Sequence, residues 1–172
     1  QSNLYFCKMN KYLNDITTII RDCSMVNSYK MSWIRSIVEY CSKNPKSSII
    51  HFDDLSRLIF KYYWNQTIYF NLQQGSNPNQ QPEIFQIVVK EIEKYQKKYN
   101  FKPIFFTKVE NRLDLNIKRI SKILTQDVSW RFQKVGNKNY DLYTLDFNEL
   151  KIEINQPEII RQYSEILFEL IN

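Results

Sequence analysis

The sequence predicts an α+β fold that is mainly helical, closed by a small antiparallel β element and a helix near the C-terminal end. Three observations carry this expectation. Apolar residues recur at three- and four-residue spacing in several long stretches, and they alternate singly only after residue 128. A content of only 2 Gly and 5 Pro in 172 residues argues against a loop-rich or disordered chain. With 43% hydrophobic residues, including 12 Tyr, 11 Phe and 3 Trp, the chain has ample material for one core built from rings and Ile side chains.

Tyr12, Leu13, Ile16, Ile19, Ile20 and Cys23 share one helical face, and Met31, Ile34, Ile37, Val38 and Cys41 share another. Ser28 is placed to cap the second helix. Asn44-Pro45-Lys46-Ser47 breaks the pattern, residues 48–52 read as a short strand, and Asp53 or Asp54 can cap a long helix through Leu55, Leu58, Ile59 and Tyr62. The order helix, helix, strand, helix is compatible with a winged-helix-like core.

Residues 75–82 form the longest expected loop, rich in Asn and Gln, and Pro82 suits the first turn of the helix that follows. That helix carries Ile84, Ile87, Val88, Ile92, Tyr95 and Tyr99 on one face, with Lys90, Lys94, Lys97 and Lys98 elsewhere. Lys102-Pro103 ends it. A shorter basic helix follows, with Ile117, Ile120 and Leu124 inward and Lys118, Arg119 and Lys122 outward. Trp130, Phe132 and Val135 then predict a strand that turns over Gly136-Asn137-Lys138-Asn139 into Tyr140, Leu142, Tyr143 and Leu145. Leu150, Ile152 and Ile154 suggest a third strand, and Pro157 opens a last helix bearing Ile159, Ile160, Tyr163, Ile166, Leu167, Leu170 and Ile171.

These patterns divide the chain near Gln126. Residues 1–8 are set aside as a flexible start, because Gln1-Ser2-Asn3 reads as the remnant of a cleavable tag and Met9 suits a native start. Residues 9–125 form a helical, basic segment suited to DNA recognition. Residues 126–172 form the β element and closing helix, which is apolar to its end and is expected to lead toward a further C-terminal module.

The net charge of +6 is unevenly spread. Residues 1–60 hold 8 basic and 5 acidic groups, residues 61–125 hold 11 and 5, and residues 126–172 hold 5 and 8. A basic middle suits a phosphate-bearing partner such as duplex DNA, while a solvated helix face remains the alternative. Lys30, Arg35, Lys90, Lys94, Lys97, Arg119 and Lys122 are the candidate phosphate contacts. Gln74, Asn77, Asn79 and Gln80 carry neutral amides able to read base edges, or to close a turn on their own backbone.

Catalytic motifs are scarce. Without G-x-x-x-x-G-K-[ST] or G-x-G-x-x-G, P-loop hydrolysis and Rossmann-type dinucleotide binding are excluded. His51 is the single histidine, so no complete His-metal nuclease centre fits, and its neighbours Asp53 and Asp54 are better explained as helix-start residues. Asp141 with Glu149-Leu150-Lys151 matches the D…E-x-K arrangement by which one nuclease class binds magnesium, and it is kept as an alternative site. Cys7, Cys23 and Cys41 lack C-x-x-C spacing and read as reduced thiols. No run is apolar enough to span a bilayer and no secretory signal pattern begins the chain, so a soluble cytoplasmic protein is expected.

Ser28-Tyr29-Lys30-Met31-Ser32-Trp33, Phe52-Asp53-Asp54-Leu55, Tyr62-Tyr63-Trp64 and the L-Q-Q-G-S-N-P-N-Q-Q-P-E-I stretch over residues 72–84 together resemble the N-terminal region of bacterial HNH endonuclease family proteins. The resemblance implies DNA cleavage by a neighbouring module, in restriction or phage defence, with a divalent metal (Mg or Zn) held only in that module. The family's catalytic His-Asn-His residues have no counterpart here, so this chain is expected to hold no cofactor. It implies a recognition or regulatory region. A third expectation is a protein-interaction domain, with a possible homodimer through the last helix.

Overall fold

The computed structural model describes residues 2–22, 29–70 and 81–172, with side chains from Lys11 onward. Helix α1 (Ser2–Asp22) covers most of the residues expected as a flexible start, and Ile16, Ile19 and Ile20 bury its inner face. Helix α2 (Tyr29–Lys43) buries Trp33, Ile34, Ile37, Val38 and Cys41 at the expected spacing. Strand β1 (Ile49–His51) leads directly into α3 (Phe52–Phe70). Asp53 therefore lies inside the first turn of α3 rather than at its cap, and its Oδ1 accepts a hydrogen bond from the Ser121 hydroxyl at 2.8 Å.

Helix α4 (Glu83–Lys98) follows, with Ile84, Val88, Ile92 and Tyr95 buried. The Tyr29 hydroxyl accepts the otherwise orphaned Ile84 N–H at 2.7 Å and fixes the start of this helix against α2. Two short 3₁₀ turns, Phe106–Lys108 and Glu110–Arg112, lead to α5 (Ile117–Ile123). A π-helical turn (Leu124–Val128) joins α5 to α6 (Ser129–Phe132), so one rod runs through the position expected to divide the chain.

That rod corrects the reading of Trp130 and Phe132 as a strand. Ile120, Leu124, Val128 and Phe132 form a row at four-residue spacing, each 3% exposed or less. A row of strict fours drifts around a regular helix, and the wider i→i+5 turn keeps it facing the core. The hairpin that follows is smaller than expected: β2 (Lys134–Val135) pairs with β3 (Lys138–Asn139) over Gly136-Asn137, with Gly136 at φ 57°.

Strands β4 (Tyr143–Asp146) and β5 (Lys151–Ile154) complete a three-stranded antiparallel sheet in the order β1-β5-β4. Ile50 faces Ile152, and Tyr143 faces Ile154. Between β4 and β5, Asp146 accepts the Asn148 and Glu149 amides, and Leu150 adopts a left-handed φ of 47°. Leu150 in turn gives its carbonyl to the Phe52 amide at 2.8 Å, which ties this turn to the start of α3. Helices α7 (Pro157–Gln162) and α8 (Ser164–Ile171) replace the single last helix and pack on α2. The result is the expected mainly helical α+β fold, and one apolar core joins the first helices to the sheet. Among the described residues no helix is long and apolar enough to cross a membrane.

Candidate functional site

The basic middle of the sequence folds into two neighbouring helical surfaces. On α4, Lys90, Lys94 and Lys97 recur at four- and three-residue spacing and share one exposed stripe. A groove of about 200 Å³ separates that stripe from the segment entering α5, and Lys90, Lys94 and Arg119 line it together with Glu83, Glu91 and Asp114. Arg119 crosses the groove to Glu83 with Nε at 2.7 Å and Nη2 at 2.6 Å from the same oxygen. Glu91 is 7% exposed, and it accepts the Asp114 amide at 2.9 Å while pairing with Lys94 Nζ at 3.1 Å.

Inside the groove Arg119 is thus paired with Glu83 and Lys94 with Glu91, so these charges offset one another. The basic character of the surface comes from the rims. Lys90 and Lys97 on α4, and Lys118 and Lys122 on α5, are exposed and have no carboxylate partner among the described residues.

The rod formed by α5, the π turn and α6 has a second row opposite its buried one. Lys118, Lys122, Gln126 and Trp130 are all exposed at four-residue spacing. The Trp130 indole donates to the Gln126 carbonyl at 2.8 Å, which lays the ring along the rod. The rod is braced from below by Ser121, whose hydroxyl lies 2.9 Å from Ser56 Oγ on α3 as well as 2.8 Å from Asp53. Lys118, read as outward but not among the expected phosphate contacts, joins this row, and Gln126 joins it because the rod continues past the expected end of the basic helix.

Arg35 lies apart from this surface. Its guanidinium sits 4.9 Å from the Tyr62 ring centre, donates to Asn172 Oδ1 at 2.7 Å, and lines a cleft of about 120 Å³ with Ser32, Tyr63 and Gln66. Lys30 is half-buried in the first turn of α2, outside the groove. Gln74, Asn77, Asn79 and Gln80 lie outside the described residues, as do Ser28, Cys23 and the Cys7 side chain.

The D…E-x-K residues do not converge. Asp141 precedes β4, while Glu149 sits in the turn at the far end of the β4–β5 hairpin, where Asp146 faces Lys151. At about 3.4 Å per extended residue, the steps from Asp141 through β4 to Asp146 separate their levels by up to roughly 17 Å, too far for one metal ion. Lys151 instead lies 3.7 Å from Asp146. Among the described residues no three His, Cys, Asp or Glu side chains are grouped to hold a metal. His51 is exposed on β1 opposite Lys151, and its neighbour Asp53 is engaged by Ser121.

Two perturbed groups are structural. Burial would raise the Glu39 carboxyl, but hydrogen bonds from Lys43, Lys61 and Tyr62 outweigh it and hold the group down at about 2. Burial pushes the Cys41 thiol up to about 11, as expected of a small apolar filler rather than a nucleophile. The chain matches no protein-family model, no curated protein and no solved structure.

Proposed function

We propose that this chain is a DNA-binding module that recognises or regulates, with no catalytic centre of its own. The observation that carries the proposal is the exposed row Lys118, Lys122, Gln126 and Trp130 on a rod of about 24 Å, flanked by the cationic stripe of α4. The major groove of B-DNA admits one α-helix, ammonium groups hold phosphates, and a Gln amide can bond an adenine edge bidentately. In this reading Lys90, Lys97, Lys118 and Lys122 contact phosphates and Gln126 reads a base. The groove carboxylates hold Arg119 and Lys94 in position.

Service beside an HNH-type nuclease in the cytoplasm rests on the sequence resemblance, and a following H-N-H pattern in the same reading frame would support it. The binding itself is tested by fluorescence anisotropy with a 20-bp duplex. Four phosphate contacts predict a loss of roughly 100-fold in affinity between 50 and 200 mM salt. No binding at 50 mM salt would sink the proposal.

A second reading has its own observation. Ile166 and Leu170, one turn apart on α8, are 55% and 50% exposed, which favours association through this helix. Light scattering tests it: a dimer that Leu170→Lys converts to monomer supports it, and a monomeric wild type contradicts it.

A further inference from the structure

The segment that leaves α4 sets aromatic rings and cations side by side in the open. Phe101 and Phe105 are 74% and 52% exposed, and Phe70 at the end of α3 is 72% exposed. This is not a loose loop. The Trp64 indole donates to the Ile104 carbonyl at 2.9 Å, the Phe106 amide donates to Asn65 Oδ1 at 2.9 Å, and the Phe106 ring is buried 5.8 Å from Phe60. Between these anchors the Phe105 ring is held against Tyr69, with centroids 4.8 Å apart and planes 36° from parallel.

Cations flank the same segment along the chain and meet its first ring, Tyr99. Lys98 Nζ and Arg112 Cζ lie 5.3 and 5.6 Å from the Tyr99 ring centre. Lys102 and Lys108 are exposed nearby in sequence, and none of the four has a carboxylate partner among the described residues. The acidic neighbour in this stretch, Glu110, is already paired with Arg57.

A protein partner that covered these rings would also have to neutralise the cations around them. A ligand offering flat π faces and phosphates together satisfies both. In a duplex the base faces are stacked on one another, so the rings are useful only to unpaired bases. We infer that Phe105 on Tyr69, with the exposed Phe101 of the same segment, is a stacking platform for unpaired nucleotides, and that Lys98, Lys102, Lys108 and Arg112 hold the phosphates of that strand. The inference rests on the nucleic-acid reading above and adds to it a second contact of a different kind.

The test compares a fluorescein-labelled 12-nucleotide oligothymidylate with the 20-bp duplex, by anisotropy at 50 mM salt. Phe101→Ala and Phe105→Ala remove exposed rings and should each weaken oligothymidylate binding about tenfold, with duplex affinity changed less than twofold. Phe105→Leu keeps the apolar surface but not the ring and should lose as much as the alanine variant. Lys90→Glu with Lys97→Glu should weaken the duplex instead. If Phe105→Ala leaves oligothymidylate binding unchanged while the duplex still binds, the platform is overturned and the DNA-binding reading stands. Binding of oligothymidylate without the duplex would do the reverse. Loss of self-association in Phe105→Ala, with nucleotide binding intact, would assign the rings to a protein contact and overturn the inference.

Discussion

The Trp33 indole donates to the Tyr143 hydroxyl at 2.9 Å, and the same hydroxyl donates to the Ser129 carbonyl at 2.5 Å. One phenol thus joins α2, β4 and the start of α6 in the core, where Trp33 is fully buried and Tyr143 is 2% exposed. Burial raises the Tyr143 phenol above its ordinary value, which favours the protonated form that donates this bond. Tyr143→Phe takes the acceptor from a buried indole N–H and a donor from a buried carbonyl. It should cost about 2 kcal/mol, read as a lower denaturation midpoint at unchanged m-value. A loss below about 0.5 kcal/mol would show that the hydroxyl does not hold the rod to the sheet.

Glu39 makes stability depend on pH at the acid end. Its folded value of about 2 lies below the ordinary 4.5, so the native state favours the carboxylate. The contribution is present above pH 4.5 and is lost as pH falls toward 2. Allowing for the solvent exposure of Lys43, it amounts to about 2 kcal/mol. Glu39→Gln should be less stable at pH 7, and its stability should fall less steeply between pH 4.5 and 2. Parallel pH profiles for wild type and variant would contradict this assignment.

The two rows of the rod separate folding from binding. Leu124→Ala opens a cavity at a fully buried position and should cost about 3 kcal/mol. Gln126→Ala, two positions along on the opposite face, should change stability by less than about 0.5 kcal/mol. Its effect should appear as weaker discrimination among duplex sequences, with overall affinity reduced less than tenfold. Chemical denaturation and a competition assay over varied duplexes check the pair.

Much of the helical part was legible because helices α1 to α4 bury rows such as Ile16, Ile19 and Ile20, or Ile84, Val88 and Ile92, at ordinary spacing. The rod was not, for a specific reason. Val128, Trp130 and Phe132 alternate as in a strand, yet Trp130 is exposed and the four-residue row through Leu124 faces the core. The helical signal lies in the row that starts at Ile120. Arg35 looked like a phosphate contact because the Tyr62 ring that it packs against lies on another helix. The separation of Asp141 from Glu149 depends on the β4–β5 register, which local spacing does not encode. The cationic stripe of α4 was visible as charge, and so was the i,i+3 pair of Glu91 with Lys94, but the burial of Glu91 against the Asp114 amide depends on a tertiary contact.

In the proposed DNA-binding mode the outward row of the rod meets phosphates. This contact is tested most directly by the salt dependence of duplex binding for wild type and for Lys118→Ala with Lys122→Ala, both exposed positions whose loss should leave the fold intact. The slope of log affinity against log salt should become shallower by about 1.8, roughly 0.9 for each phosphate contact removed. An unchanged slope in a folded double variant would contradict it.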